Sequence, residues 1–149
     1  MPYGFTVSLC YDTAMITINT DGGARGNPGP AASAYTIARD GVILTEAGTY
    51  LGDTLTNNWA EYQGLLQGLA KAREMSLTDE DIEVRMDSEL IIKQMNGEYK
   101  VKHPEMKMLH AQVRELLEHF SAVRFVHISR EGNKEADRLV NEALDAHMN

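Results

Sequence analysis

The spacing of hydrophobic residues changes along this chain in a way that permits few folds. Residues 15–21, MITINTD, are rich in β-branched side chains, and residues 31–40 and 41–51 have the same character. The last two segments meet at Asp40-Gly41, a dipeptide that favours a tight hairpin turn. The first third of the chain therefore predicts three strands, arranged as antiparallel neighbours.

Helical periodicity follows these strands. Residues 58–75 carry apolar side chains at helical spacing. The later predicted elements are a strand over 82–86, a short helix over 88–94, a longer helix from Pro104, a strand over 123–128 and a helix over 133–147. The order βββαβααβα predicts an α/β fold with a mixed five-stranded sheet, in which three antiparallel strands precede the parallel crossovers and helices flank the sheet.

Length and composition fit one globular domain. The chain has 149 residues, of which 43% are hydrophobic, so it can bury a substantial core. No apolar run approaches the roughly 18 residues of a membrane span, and residues 1–14 lack the order of a signal peptide. The single cysteine, Cys10, cannot form an intramolecular disulfide. We therefore expect a cytoplasmic protein whose domain covers residues 15–149, preceded by an arm of unknown role over residues 1–14.

The net charge bears on possible partners. A formal charge of −8 argues against strong nonspecific binding to nucleic acid, because phosphate binding normally draws on clustered Lys and Arg. Carboxylates gathered at one metal site repel phosphate less than the net charge indicates, because bound divalent cations offset their charge locally. The charge therefore lowers the expectation of a nucleic-acid partner without excluding one. It disfavours self-association only weakly, and a monomer is the default expectation.

Four carboxylates each stand where a strand or helix meets a turn. They are Asp21, which opens TDGGARGNPG after the first strand, Glu61 at the start of the first long helix, Asp87 at the end of IEVRM, and Asp137 near the start of the last helix. In open α/β sheets, sites gather at the carboxyl ends of strands, where helix starts and loops converge. The four side chains can therefore meet at one divalent-metal site, as in a metal-dependent nuclease.

Each acid also has an ordinary structural explanation. Asp21 can be the Asx-turn residue of a glycine-rich hairpin. Glu61 can complete a capping box with Asn58 at the N-cap, and Asp87 can cap the short helix after it. Asp137 can lie on a solvated helix face, although it shares a stripe with apolar residues that would turn it inward. Only the joint occurrence and order of the acids favour a metal site.

Glycines near two of these acids allow backbone to approach closely. Glu61 shares its helix stripe with Gly64 and Gly68, so this face can lie against a neighbouring element. The glycines after Asp21 likewise let backbone approach a ligand. They do not form a nucleotide-binding loop of the GxxxxGK[ST] type.

The chemistry of the ligands indicates which metal. Carboxylate oxygens select Mg²⁺ or Mn²⁺, whereas zinc favours His and Cys groups at short spacings. The histidines are scattered through the second half of the chain: His103, His110, His119, His127 and His147. We therefore expect Mg²⁺, with Mn²⁺ as a possible substitute.

Four segments resemble the four motifs of type 1 ribonuclease H. They are TDGGARGNPG, NNWAEYQGL, MDSELI and NKEADRLVNEAL, and they follow the family's order between about residues 15 and 146. The resemblance implies the ribonuclease H-like form of the α/β fold. It also implies an endonuclease that hydrolyses the RNA strand of RNA–DNA hybrids by a two-metal-ion mechanism, leaving 5′-phosphate and 3′-hydroxyl ends.

The resemblance implies roles for the four acids. Asp21 would bridge two metal ions, Glu61 and Asp87 would hold one of them, and Asp137 would help to hold the other. One ion lowers the pKa of an attacking water and the other stabilises the leaving oxygen. The catalytic and metal-binding residues expected from the resemblance are thus the same four.

Substrate contacts also follow from the resemblance. Asn27, Asn57 and Asn58 match positions that contact the minor groove of the hybrid, and Thr56 matches a phosphate contact on the DNA strand. Amide groups suit the recognition of 2′-hydroxyls and base edges without a fixed sequence. Arg25 is a further candidate phosphate contact, with a solvated loop charge as the equal alternative.

The loop before the last helix departs from the family pattern. Many members carry a His there that assists proton transfer or product release, but residues 129–134, SREGNK, contain none. Arg130 and Glu131 are only weak substitutes. His127 precedes this loop, in the predicted strand, so the role is not transferred to it.

Two further departures concern the grip on the substrate. The basic protrusion between the middle helices is reduced to NGEYKVKHPEM, in which Lys100, Lys102 and Lys107 predict modest, salt-sensitive affinity. Glu89 replaces an amide residue often found two positions after the third acid. These departures are typical of a short-loop kind of the family.

Three alternatives stay open at the level of sequence. One is a broader nuclease that also cuts double-stranded RNA, and another is a noncatalytic hybrid-binding module, which the missing loop His favours slightly. A third is a junction resolvase or integrase of related fold, which the Asn-rich contacts disfavour.

Overall fold

The computed structural model describes residues 15–148; the arm predicted over residues 1–14, with Cys10, lies outside them. The order of elements is the predicted one. The elements are β1 (Ile16–Ala24), β2 (Gly29–Arg39), β3 (Val42–Leu55), α1 (Asn57–Glu74), β4 (Asp81–Met86), α2 (Glu89–Met95), α3 (Pro104–Leu117), β5 (Ala122–His127), a 3-10 turn (Arg130–Asn133) and α4 (Lys134–Met148).

The strands form a five-stranded sheet in the order β3-β2-β1-β4-β5. Strands β1, β2 and β3 are antiparallel neighbours, and β4 and β5 extend the sheet in parallel from β1. The β2–β3 hairpin turns at Asp40 and Gly41, whose φ angles of 50° and 84° are both in the positive range that a tight hairpin turn requires. The predicted mixed sheet is therefore confirmed.

Helices cover both faces of the sheet and enclose two clusters of buried residues. The larger cluster joins β1, β2, β4 and the helices α1, α2 and α3, with Ile18, Leu65 and Val84 fully buried. The smaller one places α4 over β2, where Ala32 and Ala34 are small enough to let the helix approach. Among residues 15–148, no helix is long and apolar enough to cross a membrane.

Candidate metal centre

Asp21 lies on β1, under the first turns of α1. Its side chain is buried, with the residue only 7% exposed, and Oδ1 accepts a hydrogen bond from the Gly22 backbone N–H at 2.9 Å. Both crossing points with α1 are occupied by glycine. A Cβ atom at Gly22 would lie 2.3 Å from the backbone carbon of Ala60, and one at Gly64 would lie 2.6 Å from the Asp21 carbonyl oxygen. The close packing predicted for this helix face is confirmed at Gly64.

Glu61 faces this crossing and does not cap its helix. The N-cap of α1 is Thr56, whose Oγ1 accepts a hydrogen bond from the Trp59 N–H at 3.2 Å. The capping box proposed for Asn58 and Glu61 is therefore wrong, because the helix begins earlier, at Asn57. Glu61 is left free to point towards the sheet, where the nearby Ser88 side chain lowers the pKa of its carboxyl.

Asp87 directly follows β4, the parallel neighbour of β1. The N-cap of α2 is the next residue, Ser88, whose Oγ accepts a hydrogen bond from the Ile91 N–H at 3.3 Å. Capping therefore does not occupy Asp87, and the sheet places its carboxylate beside Asp21.

The structure brings three of the four predicted acids together. One carboxylate oxygen each from Asp21, Glu61 and Asp87 lies within 4.8 Å of the other two. They line an open cleft of about 770 Å³. Three oxygen ligands at this spacing, with room for water, form a donor set suited to a hard divalent cation.

The three acids share an electrostatic penalty. Burial raises the pKa of Asp21 to about 7, and the nearby charge of Asp87 adds to the effect. Burial also raises the pKa of Glu61 to about 8, against the Ser88 hydrogen bond, which lowers it. The pKa of Asp87 is raised, mainly by burial. Carboxylates kept this close and this buried are costly when charged unless a cation compensates them.

Asp137 lies on the first turn of α4 and lines the same cleft. Its charge raises the pKa of both Asp21 and Asp87, so it stands within electrostatic reach of the cluster. It is not among the three acids whose oxygens lie within 4.8 Å of one another. A position at the rim of the group fits the expected role of helping to hold a second ion, which stays a prediction.

Asn133 anchors the start of the helix that carries Asp137, and the sequence analysis did not identify it. Asn133 is 1% exposed; its Nδ2 donates to the Thr20 carbonyl at 2.9 Å, and its Oδ1 accepts from the Asn19 side chain at 3.1 Å. These bonds tie the start of α4 to β1 one residue before Asp21. No periodic pattern marks a buried Asn in a loop, and its sequence context, GNK, is that of an ordinary polar turn.

Two basic side chains line the cleft near the acids. Arg130 follows β5, and its charge lowers the pKa of Asp21, Glu61 and Asp87. His127 lies in β5, as the sequence predicted, and it also lines the cleft. Glu131 is exposed and does not line it. The structure thus favours Arg130 over Glu131 as the group that stands where the loop His is missing.

The predicted substrate contacts form a connected rim beside the cleft. Asn57 lines the cleft, its Oδ1 accepts from the Ala24 N–H at 2.7 Å, and its own N–H donates to Asn27 Oδ1 at 3.0 Å. Asn58 is exposed on the first turn of α1, next to the N-cap Thr56. The structure therefore brings all four residues to one edge of the cleft.

Arg25 also lines the cleft, but it is held from the far side. Its guanidinium donates to Asp145 at 2.8 Å and to Asn141 at 3.2 Å, both on α4. Arg25 is nonetheless exposed, just after β1, and its pairing with Asp145 is a surface ion pair, so its role as a phosphate contact stays a prediction.

The residues that depart from the family pattern lie away from the acids. Lys100, Lys102 and Lys107 are exposed around the start of α3 and do not line the cleft. Glu89 is exposed on α2 and pairs with Lys93 at 3.2 Å. Neither set meets the metal-binding carboxylates.

Comparison with known proteins agrees with this geometry. The family model described as "Reverse transcriptase-like" matches residues 19–143. A bifunctional protein of Mycobacterium tuberculosis is 41% identical over 133 residues, which are 88% of this chain and 36% of that protein. The ribonuclease HI of Halobacterium salinarum is 41% identical over 126 residues, which are 84% of this chain and 62% of that protein. The chain therefore spans about a third to two thirds of these relatives.

A solved structure covers nearly the whole fold. LC11-RNase H1, crystallised in complex with an RNA/DNA hybrid, is 46% identical, has a TM-score of 0.86, and is matched over 90% of this chain and 99% of its own. The sheet order, the three gathered carboxylates and these matches lead to the same assignment, so the chain belongs to the type 1 ribonuclease H family.

Proposed function

We propose that this chain is a divalent-metal-dependent endonuclease that hydrolyses the RNA strand of RNA–DNA hybrids, leaving 5′-phosphate and 3′-hydroxyl ends. The observation that carries the proposal is the meeting of Asp21, Glu61 and Asp87 within 4.8 Å in an open cleft. Support for the substrate comes from LC11-RNase H1, the 46% identical relative solved with an RNA/DNA hybrid.

The ions we propose are two Mg²⁺, with Mn²⁺ as a possible substitute, because carboxylate oxygens suit these hard cations. When bound, such ions activate a water at neutral pH and stabilise the leaving oxygen. Asp21 would be the ligand shared by both ions, as the family resemblance implies, and the charges of both Asp87 and Asp137 act on it. Glu61 and Asp87 would complete the site of one ion, and Asp137 would contribute to the other from α4.

The protein holds these ligands ready before any ion binds. Glycine at two crossing points fixes α1 on β1, and Asn133 fixes the start of α4 on the same strand. Ligand side chains that are fixed on strands and helices keep their relative positions when substrate binds. Raised pKa values at Asp21 and Glu61 mean that metal binding must displace protons from them.

The amide rim supplies contacts that do not depend on base sequence. Asn27, Asn57 and Asn58 would face the minor groove of the hybrid, where 2′-hydroxyls distinguish RNA from DNA. Thr56 would contact a DNA phosphate, and Arg25 a further phosphate across the cleft. The bond from Asn27 to the Asn57 backbone keeps two of these side chains in a fixed relation.

Arg130 is proposed to act where the family's loop His is absent. A guanidinium stays protonated at every working pH, so it cannot accept a proton from water. It can attract the charged phosphate and offset the carboxylates, which its charge already does at Asp21 and Glu61.

Cleavage of matched substrates tests the proposal. Equal-length RNA–DNA hybrid, double-stranded RNA and double-stranded DNA are digested with Mg²⁺, Mn²⁺ or chelator and resolved on gels. We expect the RNA strand of the hybrid to be cut only with metal, and Asp21→Asn to lose this cutting. Asp79→Asn, which changes an exposed acid away from the cleft, serves as the matched control. Full activity in Asp21→Asn would contradict the proposal, and hybrid binding without cutting would make the chain a binding module.

A further inference from the structure

Arg25, which would contact a phosphate of the hybrid, is paired with α4 in the free protein. Its Nη2 donates to a carboxylate oxygen of Asp145 at 2.8 Å and to Oδ1 of Asn141 at 3.2 Å. Arg25 and Asn141 line the cleft, whereas Asp145 does not. Asp145 therefore holds, from outside the cleft, a cation that a substrate in the cleft would need.

The backbone at Arg25 is fixed. Its N–H donates to the Pro30 carbonyl at 2.8 Å, and Gly29 packs so closely on its carbonyl that a Cβ atom at Gly29 would lie 2.2 Å from the oxygen. The guanidinium, however, stands at the end of a flexible aliphatic stem. It can therefore turn away from Asp145 while the backbone of the loop stays in place.

The end of α4 that carries Asp145 is also fixed. The preceding residue, Leu144, is 2% exposed and packs against β2. The ring of His147 stacks on Tyr50 of β3, with ring centroids 3.6 Å apart and planes inclined by 11°. A ligand that takes the guanidinium must therefore separate Arg25 from Asp145, because the helix does not move with it.

We propose that Asp145 competes with a substrate phosphate for the guanidinium of Arg25, and so lowers the affinity of the cleft for the hybrid. This inference rests on the proposed function, which supplies the phosphate. In the free protein Asp145 occupies Arg25. In the complex the guanidinium turns to the phosphate, and the carboxylate of Asp145 is left in water.

Exposure makes this exchange inexpensive. The side chains of Arg25 and Asp145 are 36% and 60% exposed, and an ion pair in that position contributes little to stability. A phosphate is the stronger partner, because its oxygens can accept two parallel hydrogen bonds from one guanidinium. Asp145 therefore weakens binding by a small factor and does not prevent it.

The charges of the cleft give this competition its effect. Among residues 15–148, the arginines that line the cleft are Arg25 and Arg130. The charge of Arg130 already acts on the three gathered carboxylates, in a protein whose formal charge is −8. Removing the charge of Asp145 thus makes available the arginine that is not engaged with the metal ligands.

Binding of a labelled RNA–DNA hybrid in chelator at low salt, followed by fluorescence anisotropy, tests the proposal in a double-mutant cycle. We expect Asp145→Asn to lower the Kd about three- to fivefold, the range set by an exposed ion pair. Arg25→Ala is expected to bind more weakly and to lose about one phosphate contact from the salt dependence. In Arg25→Ala, the further change Asp145→Asn is expected to alter the Kd by less than about twofold.

Glu142→Gln is the matched control, because it removes an acid from another exposed ion pair of α4, with Arg138 at 2.7 Å, and neither residue lines the cleft. It is expected to keep the wild-type Kd. Melting temperatures report that every variant is folded, and cleavage with Mg²⁺ is measured beside binding.

The outcomes separate this inference from the proposed function. A wild type that binds and cuts the hybrid, with the same Kd in Asp145→Asn, would overturn the inference alone. Equal tightening by Asp145→Asn with and without Arg25 would also overturn it, since Asp145 would then act only by repelling phosphate. A wild type that neither binds nor cuts the hybrid would overturn the proposed function and this inference with it.

Discussion

Gly64 lies against the backbone of Asp21, and a Cβ atom at Gly64 would stand 2.6 Å from the Asp21 carbonyl oxygen. No real side-chain atom approaches a backbone oxygen this closely without a shift of one element. The contact sets the distance between α1, which carries Glu61, and β1, which carries Asp21. The geometry of the metal ligands thus depends on a residue that offers no ligand.

Gly64→Ala is expected to weaken both the fold and the activity. Alanine improves helix propensity by about 1 kcal/mol, but forcing α1 away from β1 costs about 1–3 kcal/mol, and the carboxylates move apart. Gly68→Ala is the matched control on the same helix, because its new Cβ would meet only side-chain atoms, the nearest at 3.0 Å. Urea unfolding and hybrid cleavage compare the two. Equal stability and equal activity of the variants would contradict this role for Gly64.

The stability of the metal-free protein is expected to fall as pH rises from about 4 to 8. In the unfolded chain Asp21 and Glu61 lose their protons near their ordinary pKa values of 3.8 and 4.5, but in the fold their pKa values are about 7 and about 8. Between these limits the folded state binds more protons, so the free energy of unfolding decreases with increasing pH and levels off above the folded pKa values. Thermal unfolding in chelator measures the trend.

A neutral residue of the same shape separates the contribution of a buried carboxyl from that of the other titrating groups. Glu61→Gln removes the pH dependence due to one buried carboxyl and is expected to flatten the slope, while Glu98→Gln, an exposed acid, keeps it. Added Mg²⁺ is expected to raise the melting temperature of the wild type more at pH 8 than at pH 6, because protons compete with the metal. A wild-type slope that Glu61→Gln leaves unchanged would contradict the assignment.

Arg130→Ala is expected to reduce hybrid cleavage by about a hundredfold, because removing one preorganised group that stabilises transition-state charge costs roughly a hundred- to a thousandfold in rate. Arg130→Lys keeps the charge and is expected to retain part of the activity. Glu131→Ala changes the neighbouring residue, which does not line the cleft, and serves as the control. Steady-state cleavage of one hybrid gives the ratio. If Arg130→Ala cleaves at the wild-type rate, Arg130 does not take the role of the missing loop His.

Asn133→Ala is expected to cost about 1–3 kcal/mol of stability, because it leaves the Thr20 carbonyl and the Asn19 amide without their partner. It is also expected to lower activity, since α4 would no longer hold Asp137 in place. Asn96→Ala removes one bond of 3.3 Å at an exposed residue and is expected to change stability by less than about 0.5 kcal/mol. If the two variants are equally stable and active, Asn133 has no positioning role.

Much of the fold could be predicted because periodicity and turn chemistry agreed. The alternation in IEVRM, the Asp-Gly turn and Pro104 at the start of α3 each mark an element that the structure contains. Strand order then follows from short antiparallel connections and parallel crossovers. The meeting of Asp21 and Asp87 could also be predicted, since both come shortly after the residues by which β1 and β4 pair in parallel, 16–19 and 82–85.

The details that the sequence did not reveal depend on contacts distant in sequence. Asn57 and Asn58 are both good N-caps by residue type, but the chain begins α1 after Thr56, and Asn57 instead accepts a bond from Ala24 across the cleft. Asn133 is buried by α4 docking on β1, which no local pattern reveals. Arg25 is held by Asp145, which lies 120 residues later.

The ends of the cleaved RNA test the central claim most directly. A uniform RNA–DNA hybrid, labelled on the RNA strand, is digested with Mg²⁺, and the new termini are identified by phosphatase and ligase sensitivity and by mass. Divalent ions held by the carboxylates would supply an activated water, so the account predicts 5′-phosphate and 3′-hydroxyl ends and no cutting in chelator. Ends with 5′-hydroxyl and 2′,3′-cyclic phosphate, or cutting that persists in chelator, would contradict the account.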